Sequence, residues 1–413
     1  MTFIKEYLQN NNLEKLALVG ANSQGKTYQL EQFAKENKGK VIFVESETKS
    51  DENMRNTATN TTLIEWITEL VGIDDLNNVI DNIISNLNIK NNNDRVKVEI
   101  KNSLETYKGL IEFSVISNSN CKKSAGAGEK VLGQLLMIEN MLNKENTKYE
   151  YLLIDEPESH LHPSLYVLIS QTLKNISKRG IKVVIVTHSC EILKYFVENT
   201  NEIIRMNNLS PQPLKETRYY YQLKNQFNIY TNKDLFMDSY NRVKDKLDLY
   251  FNKIMLSQIY KSLFSDLVII GEGIAEEEIF DMYINEYTSD YYNFNVSYII
   301  AHGKELMTWY SKIFNELSIK VICIFDQDNE DSIKHKTIND TIKKETTDYI
   351  EISVSGKGHK NNKIENYLNI NMADGDKGKY IITELRKLYI NNDERLFELL
   401  KIIDDKIRKN SVY

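Results

Sequence analysis

The chain lacks the features that mark disulfide-bonded, zinc-binding and non-specific nucleic-acid-binding proteins. Its 413 residues include only three cysteines, four prolines and two tryptophans. Cys121, Cys190 and Cys323 are far apart and have no CxxC spacing, so neither a zinc site nor a disulfide framework is predicted. The formal net charge of -7 excludes a surface coated with basic residues, although a local basic groove stays possible.

Long apolar runs are also missing. No segment approaches the ~20 consecutive apolar residues that span a bilayer. The first residues, MTFIKEYLQNNN, lack the apolar centre of a secretion signal. We therefore expect a cytoplasmic protein without membrane contact. The length allows two or three domains, each with a core of its own.

A phosphate-binding loop is the most specific motif near the amino end. A strand predicted over residues 16–19 leads into GANSQGKT, the complete G-x-x-x-x-G-K-[ST] pattern, and a predicted helix follows. The backbone N–H groups of such a loop face phosphate oxygens. In this pattern Lys26 neutralises the β and γ phosphates of ATP, and Thr27 ligates Mg²⁺. The cofactor-binding residues expected here are Gly20, Asn22, Gly25, Lys26 and Thr27.

The stretch YLLIDEPESHLHP predicts a buried strand that ends in two adjacent carboxylates. Asp155 is expected to hold Mg²⁺, directly or through water. Glu156 is expected to orient and polarise the water that attacks a phosphoryl group. A strand that ends in a solvated acidic turn is the alternative interpretation.

Two further pieces complete a nucleotide site in the first half of the chain. SAGAGE, residues 124–129, precedes an apolar helix predicted over residues 131–142, and small residues at a helix start expose N–H groups to anions. His188 follows a further predicted strand, residues 182–186, one crossover helix after the acidic pair. Together with the P-loop, these motifs resemble the ABC-type ATPase heads of the SMC and RecF group. The resemblance implies a signature motif made of Ser124, Gly126 and Gly128.

In ABC-type heads the signature motif of one subunit completes the ATP site of another. The resemblance therefore implies a homodimer or higher oligomer through the ATPase heads, with residues 158–162 as the D-loop and His188 as the switch histidine. The chain departs from the pattern because the usual strands do not precede the P-loop. In addition, Lys122-Lys123 replace the leucine before the signature serine, and no Q-loop glutamine is identified.

A second group of acidic residues lies in the other half of the chain. The apolar run LVII predicts a buried strand before Glu272, and the helix predicted after it places Glu276 close by. VICIFDQD predicts another strand, whose alternation directs Asp326 and Asp328 the same way. Converging carboxylates repel one another unless divalent metal neutralises them, so we expect a site for a hard cation.

The order strand, Glu-Gly, helix, strand, Asp-x-Asp resembles the TOPRIM domain of topoisomerases, primases and nucleases. An ABC-type head followed by TOPRIM resembles the OLD (overcoming lysogenization defect) ATP-dependent nucleases, including the ATPase and nuclease component of Gabija-type antiphage systems. The resemblance implies an α/β fold, in which an ABC-type P-loop ATPase head with a helical insert precedes a Rossmann-like parallel sheet.

The predicted domains follow from this resemblance and from the pattern of elements. Pro211 and Pro213 are expected to break regular structure after the head. The domains are 1–205 (ATPase head, with the helical insert at about 60–113), 206–265 (helical connector), 266–385 (TOPRIM) and 386–413 (C-terminal helix).

The resemblance also assigns the nuclease residues. It implies one or two Mg²⁺ or Mn²⁺ ions, which activate water and stabilise the leaving 3′ oxygen during phosphodiester cleavage. Lys377 or Lys379 matches the lysine that usually assists these nucleases near the carboxyl end, and Lys379 is our candidate. The implied metal ligands are Glu272, Glu276, Asp326, Asp328 and Glu365.

We therefore expect an ATP-regulated, metal-dependent endonuclease of OLD type in antiphage or anti-plasmid defence. The expected cofactors are ATP and Mg²⁺ or Mn²⁺. The expected partners are further copies of the chain, a nucleic-acid substrate (DNA rather than RNA) and a protein from a defence operon. Two alternatives stay open: an ATP-driven sensor or scaffold whose TOPRIM module does not cut, and a RecF-like DNA-repair ATPase.

Overall fold

The computed structural model divides into two compact units, one formed mainly by residues up to Pro211 and the other mainly by residues from Gln212 onward. No helix within the described ranges is long and apolar enough to cross a membrane. For residues 94–100, 111–117, 122–124, 333–335 and 377–379 the description is limited to the backbone. The described residues are 3–44, 94–100, 111–117, 122–124, 149–159, 161–214, 256–288, 295–327, 333–352, 363–370 and 377–411, with Leu132, Leu135, Leu136, Ile138 and Glu139.

A six-stranded sheet forms the centre of the first unit. Its strands are β1 (Lys15–Val19), β2 (Val41–Val44), β6 (Tyr151–Asp155), β7 (Lys182–Val186), β8 (Ile203–Asn207) and β9 (Ser210–Pro213). They lie in the order β2-β6-β7-β1-β8-β9. Each neighbouring pair from β2 to β8 is parallel, so the carboxyl ends of these strands meet at one edge of the sheet.

Two helices near the amino end pack on this sheet. In the part of the first unit that the structure describes, the helices with defined bounds are α1 (Phe3–Asn10), α2 (Lys26–Glu36), α3 (Tyr166–Lys178) and α4 (Cys190–Phe196). Ile4 and Leu8 of α1 share a buried cluster with Leu30 and Phe33 of α2 and with apolar residues of β1, β6, β7 and β8. This packing fixes the amino end of α2 beside the carboxyl end of β1, which is where a P-loop must lie.

A separate antiparallel sheet lies in the region predicted as a helical insert. β3 (Asp94–Ile100) pairs with β4 (Ile111–Ser117), and β4 pairs with β5 (Lys122–Ser124). The helical expectation does not hold for 94–100 and 111–113, and residues 60–93 lie outside the described residues. The sequence of β3, DRVKVEI, alternates polar and apolar residues with the period of a strand, which explains the difference.

The second unit contains a four-stranded parallel sheet. Its strands are β10 (Leu267–Gly271), β11 (Val296–Ile300), β12 (Lys320–Asp326) and β13 (Asp348–Ile352). They lie in the order β11-β10-β12-β13, with every neighbouring pair parallel. Gly271 is opposite both Ile300 and Ile324 in register, so β10 and β12 end close together. Such an edge is where an open α/β sheet gathers its polar groups.

Helices cover this sheet. They are α5 (Leu256–Ser262), α6 (Ile274–Met282), α7 (Lys304–Glu316), α8 (Ile333–Glu345), α9 (Ile364–Tyr367), α10 (Lys377–Ile390) and α11 (Glu394–Asn410). One buried cluster joins Ile322 and Ile324 of β12 to α6, α10 and α11. α7 contacts the other face of β12, since Ser311 Oγ lies 3.4 Å from Cys323 Sγ.

The elements cross the predicted domain limits in two places. β8 ends at Asn207, beyond residue 205, and α10 ends at Ile390, beyond residue 385. Pro211 and Pro213 do not break regular structure as expected, because they lie in β9 at the edge of the sheet. An edge strand tolerates proline, since one side of its backbone has no strand to pair with.

Asp348 anchors the last helix, α11, to the start of β13. Its carboxylate accepts hydrogen bonds from Lys406 Nζ, from Lys409 Nζ (3.1 Å) and from Asn410 Nδ2 (3.3 Å). The backbone N of Tyr349 donates to the same carboxylate (2.9 Å). Burial alone would raise the pKa of Asp348, but these hydrogen bonds lower it to about 2. The charged form of Asp348 is therefore the one that stabilises the second unit.

We expect Asp348→Asn to lower the free energy of unfolding at pH 7 by about 2 kcal/mol, because one pKa unit corresponds to ~1.4 kcal/mol. A carboxyl group with a lowered folded-state pKa stabilises above its unfolded pKa, so the wild type should lose this contribution between about pH 4 and pH 2. Urea unfolding across that range measures both effects. Asp340→Asn, at an exposed position of α8, is the matched control. Equal unfolding midpoints for the two variants would contradict the anchoring of α11 by Asp348.

Candidate active sites

The P-loop connects β1 to α2 through several residues with left-handed backbone. Gly20, Ser23 and Gly25 have φ values of 134°, 61° and 88°. Gly25 is the residue immediately before α2, and Lys26, the first residue of that helix, is buried. Asn22 is exposed. This curled loop before a helix amino end is the arrangement that presents backbone N–H groups to phosphate.

The turn between β8 and β9 lies directly on this loop. Its two residues, Asn208 and Leu209, have φ values of 46° and 65°, as a tight two-residue hairpin requires. Asn208 N donates to Gln24 Oε1 (2.6 Å), and Leu209 N donates to Gln24 O (3.2 Å). A Cβ at Gly25 would lie 2.2 Å from Leu209 Cδ2. The backbone angle therefore favours glycine, and the Leu209 side chain would have to move aside to make room for a Cβ.

The end of β6 faces the start of α2. Thr27 Oγ1 donates a hydrogen bond to Asp155 Oδ1 (3.2 Å), and Asp155 is buried. A hydroxyl and a carboxylate at this separation are the oxygen ligands that Mg²⁺ takes beside the phosphates of a nucleotide. The two side chains thus fit the magnesium site predicted for them.

Glu156 and His188 meet at the ends of β6 and β7. Glu156 has a left-handed backbone (φ 53°), which is uncommon for a glutamate and is found at functional sites. Its Oε2 accepts from Ser159 Oγ (2.8 Å), and its Oε1 lies 3.7 Å from His188 Nε2. Burial lowers the pKa of His188, as does the charge of Lys26, so the imidazole is neutral at pH 7. Lys26, Glu156 and His188 are thus brought together.

Part of the predicted nucleotide site lies outside the described residues. Ser124 ends strand β5, where it pairs with Ser114, upstream of the helix predicted over residues 131–142. Gly126 and Gly128 lie outside the described residues. Helix is present at Leu132 and Leu135, within the predicted span.

Four carboxylates converge at the carboxyl edge of the second sheet. Glu272 follows β10, Glu276 lies in the first turn of α6, Asp326 ends β12 and Glu365 lies in α9. Asp328 lies outside the described residues, and of Lys379 only the backbone is described, in α10. The structure therefore brings together four of the five predicted metal ligands.

Backbone N–H groups hold two of these carboxylates. Glu276 Oε2 accepts from Gly273 N (2.9 Å), and Asp326 Oδ1 accepts from Ile364 N (2.8 Å). A Cβ at Gly271 would lie 2.8 Å from Glu276 Cβ, so a glycine is needed at the end of β10. These contacts orient the carboxylates without cancelling their charge.

Burial is the main cause of the raised pKa values in this acidic cluster, and repulsion between the carboxylates adds to it. Burial raises the pKa of Asp326 to about 8, and Glu276, Glu272 and Glu365 add to the shift. Burial likewise raises the pKa of Glu276 to about 7, with contributions from Glu272 and Glu365. Glu365 Oε2 is buried without a hydrogen-bond partner in the described part of the chain. Crowded carboxylates and a buried oxygen of this kind fit a divalent cation.

The side chains are not closed around an ion. Among the residues that the structure describes, no three acidic, histidine or cysteine side chains lie close enough together to enclose one. Binding therefore requires rotation of the acidic side chains or the addition of Asp328.

Lys304, which the sequence reasoning missed, lies behind the acidic cluster. This buried lysine is the first residue of α7, and its Nζ donates to the main-chain O of Asp326. The same Nζ is 5.7 Å from the centre of the Phe325 ring. Since successive side chains of a strand point to opposite faces, Phe325 and Lys304 are on the side of β12 away from the Asp326 carboxylate. The lysine thus supports the end of the strand from the face opposite the Asp326 carboxylate.

Comparison with protein families matches two parts of the chain. Residues 263–328 match the TOPRIM domain of overcoming lysogenization defect (OLD) protein-like chains. Residues 131–194 match an AAA domain described as a putative AbiEii toxin of a Type IV TA system. No curated protein matches the chain.

Three solved structures are similar to parts of the chain. The Smc head domain with a coiled coil and joint from Pyrococcus yayanosii is 17% identical over 32% of this chain and 25% of its own, with a TM-score of 0.26. The SmcHead bound to the C-winged helix domain of ScpA is 16% identical over 37% of this chain and 52% of its own, with a TM-score of 0.28. An ATP binding subunit of an ABC transporter is 13% identical over 51% and 83%, with a TM-score of 0.30.

We expect Gly25→Ala to raise the Kd for ATP about tenfold, which corresponds to ~1.4 kcal/mol. The added Cβ pushes against Leu209 and strains the P-loop backbone. Gly39→Ala is the matched control, because Gly39 has nearly the same φ (84°) and no atom within 4 Å of the added Cβ. Fluorescent-nucleotide titration measures both variants. The double change Gly25→Ala with Leu209→Ala should recover part of the affinity, and an unchanged Kd in Gly25→Ala would refute the contact.

Asp326→Asn should stabilise the protein in the absence of divalent ions. A protein that contains a carboxyl group with a folded-state pKa raised to about 8 loses stability as the pH rises from about 4 to 8. An amide at this position removes the burial of that charge and the repulsion from neighbouring carboxylates. Thermal unfolding in EDTA at pH 8 should show a Tm higher by at least about 2 °C, the shift expected for ~1 kcal/mol in a unit of about 200 residues. Added Mg²⁺ should then raise the Tm of the wild type more than that of the variant. A lower Tm for Asp326→Asn than for the wild type in EDTA would contradict the destabilising effect of the Asp326 carboxylate.

Proposed function

Because the chain combines an OLD-like TOPRIM domain with an AAA ATPase domain, as OLD-family ATPase–TOPRIM proteins do, we propose that it is an ATP-regulated endonuclease that requires Mg²⁺ or Mn²⁺. Its role is defence against phage or other invading DNA, and it acts as a homodimer or higher oligomer through its ATPase heads. The convergence of Glu272, Glu276, Asp326 and Glu365 at one sheet edge carries the nuclease part of the proposal.

The first unit supports ATP hydrolysis through residues with separate roles. Lys26, at the start of α2, neutralises phosphate charge, while Thr27 and Asp155 are paired where a magnesium ion accompanies the nucleotide. Glu156 orients and polarises the attacking water. His188 is neutral because of burial, so its imidazole offers a hydrogen bond to the γ-phosphate without competing with Lys26 for charge.

The second unit supports cleavage of a phosphodiester. Asp326 and Glu276 each have one oxygen held by a backbone N–H group, which limits the directions in which the carboxylates face. Glu272, Glu276, Asp326 and Glu365 would hold divalent ions, which would supply an activated water and stabilise the leaving 3′ oxygen. Lys304 keeps the end of β12 in place through the main-chain O of Asp326. Lys379 and Asp328 are the proposed additional catalytic lysine and metal ligand.

A scaffold that does not cut is the second candidate function. It is favoured by the finding that, within the described ranges, no three potential ligands already surround an ion position. In that case the TOPRIM module binds nucleic acid or a partner protein while ATP turnover changes the state of the head.

Asp326→Ala separates the two candidates. With Mg²⁺ or Mn²⁺ and plasmid or tRNA as substrate, we expect the variant to lose at least about 100-fold of the cutting rate, the scale of removing a positioned catalytic group. ATP turnover should stay within about twofold of wild type. Asp340→Ala, at an exposed acidic position on α8, is the control. Cutting that survives in Asp326→Ala would remove the nuclease assignment, and absence of cutting in the wild type would favour the scaffold.

Glu156→Gln tests the ATPase part. The amide fills the same space but does not polarise water as a carboxylate does, so kcat should fall at least about 100-fold while the Kd for ATP stays unchanged. Phosphate release and nucleotide titration measure the two quantities. Glu191→Gln, on the exposed side of α4, should behave as wild type. Normal turnover in Glu156→Gln would refute the role given to Glu156.

A further inference from the structure

Glu158 joins the turn after β6 to the turn after β7. Its Oε1 accepts a hydrogen bond from His188 N (2.6 Å), and its Oε2 accepts one from Thr187 Oγ1 (2.8 Å). Thr187 Oγ1 in turn accepts from Ser189 N (3.0 Å). One carboxylate therefore holds three consecutive residues of the turn that carries His188.

The direct contact between Glu156 and His188 does not hold the imidazole. Glu156 Oε1 and His188 Nε2 are 3.7 Å apart, longer than a hydrogen bond. The backbones at the ends of β6 and β7 therefore contribute to the place of the imidazole relative to Glu156. Two hydrogen bonds join these ends: Glu156 N donates to Val186 O (2.9 Å), and His188 N donates to the Glu158 carboxylate.

The surroundings of Glu158 indicate that its hydrogen bonds to His188 and Thr187 are specific contacts and not incidental packing. Burial raises the pKa of Glu158, and the hydrogen bonds from His188 and Thr187 oppose that shift. Thr187 is fully buried, so its hydroxyl needs a partner inside the protein. Hydrogen bonds to a charged carboxylate are about twice as strong as those between neutral groups. An apolar side chain at position 158 would avoid the burial of charge but would leave the His188 amide and the Thr187 hydroxyl unpaired.

We propose that Glu158 is a positioning residue that fixes the imidazole of His188 at the distance from Glu156 that ATP hydrolysis requires. The inference rests on the proposed ATPase activity and deepens it. Glu158 itself contacts neither nucleotide nor water in this role. Loss of its carboxylate frees the turn after β7, so that Glu156 still faces the phosphates while His188 no longer has a fixed place.

The kinetic test compares Glu158→Ala, Glu158→Gln and Thr187→Val, with Glu191→Ala as the control. We expect kcat to fall about 10- to 100-fold in Glu158→Ala, because a misplacement of ~1 Å can lower a rate by that factor. The Kd for ATP should stay within about twofold. Glu158→Gln should be intermediate, since its carbonyl accepts from His188 N while its NH₂ group meets the Thr187 hydroxyl. Thr187→Val is nearly isosteric and provides the test if Glu158→Ala does not fold. Wild-type kcat in Glu158→Ala, or in Thr187→Val when Glu158→Ala does not fold, would overturn the proposal.

A double-mutant cycle with His188→Ala separates positioning from a general effect on folding. If Glu158 acts through His188, Glu158→Ala should cause no further loss of kcat in the His188→Ala background. Losses that multiply would overturn the proposed route.

Amide hydrogen exchange tests the contact without relying on catalysis. The His188 amide should exchange at least about tenfold faster in Glu158→Ala than in wild type or Glu191→Ala, because its hydrogen bond is lost. Equal exchange rates would refute the hydrogen bond between the His188 amide and Glu158. A wild-type protein that binds ATP without hydrolysing it would refute the proposed ATPase activity instead, and the exchange comparison would still decide whether Glu158 holds the turn.

Discussion

Hydrogen bonds from backbone N–H groups to carboxylates are the interaction on which both candidate sites depend. Gly273 N holds Glu276, Ile364 N holds Asp326, and His188 N is held by Glu158. A backbone amide orients a carboxylate and leaves its negative charge available to an ion or a water molecule. Asp348 shows the opposite arrangement, since Lys406 and Lys409 neutralise it and lower its pKa. The partner of each carboxylate thus distinguishes a structural anchor from a group arranged for chemistry.

The positive charges near the sites follow the same logic. Lys304 lies behind β12, where its Nζ donates to the main-chain O of Asp326. In the first unit, the positive charge of Lys26 lowers the pKa of His188 and favours the neutral imidazole. A parallel sheet has helices on both faces. The carboxylates at the strand ends can therefore lie on one face, while a helix on the other face provides the positive charge.

Much of the site was predictable from local sequence, and the exceptions share a physical cause. Asp155 and Asp326 each end a short apolar strand, a pattern that the alternation and length of the run reveal without tertiary information. Lys304 was missed because its partner lies 22 positions further along the chain and is a main-chain atom, which no side-chain pattern reports. Strand β3 was missed although its polar and apolar residues alternate with the period of a strand, because the alternation covers only a few residues and its partner β4 lies further along the chain. The prediction that Pro211 and Pro213 break regular structure was wrong, because a strand at the edge of a sheet tolerates proline.

The β8–β9 turn contacts the P-loop. This contact couples the length of the turn to the length of the loop, although the two segments are far apart in the sequence. Both amides of the turn meet a single residue, Gln24, so inserting or deleting one residue at Asn208 or Leu209 would move one amide off its acceptor. The P-loop spacing is itself fixed by the geometry of a bound phosphate chain. Among related chains, an indel in this hairpin should therefore occur only together with a compensating change at the residue before the second glycine of the P-loop.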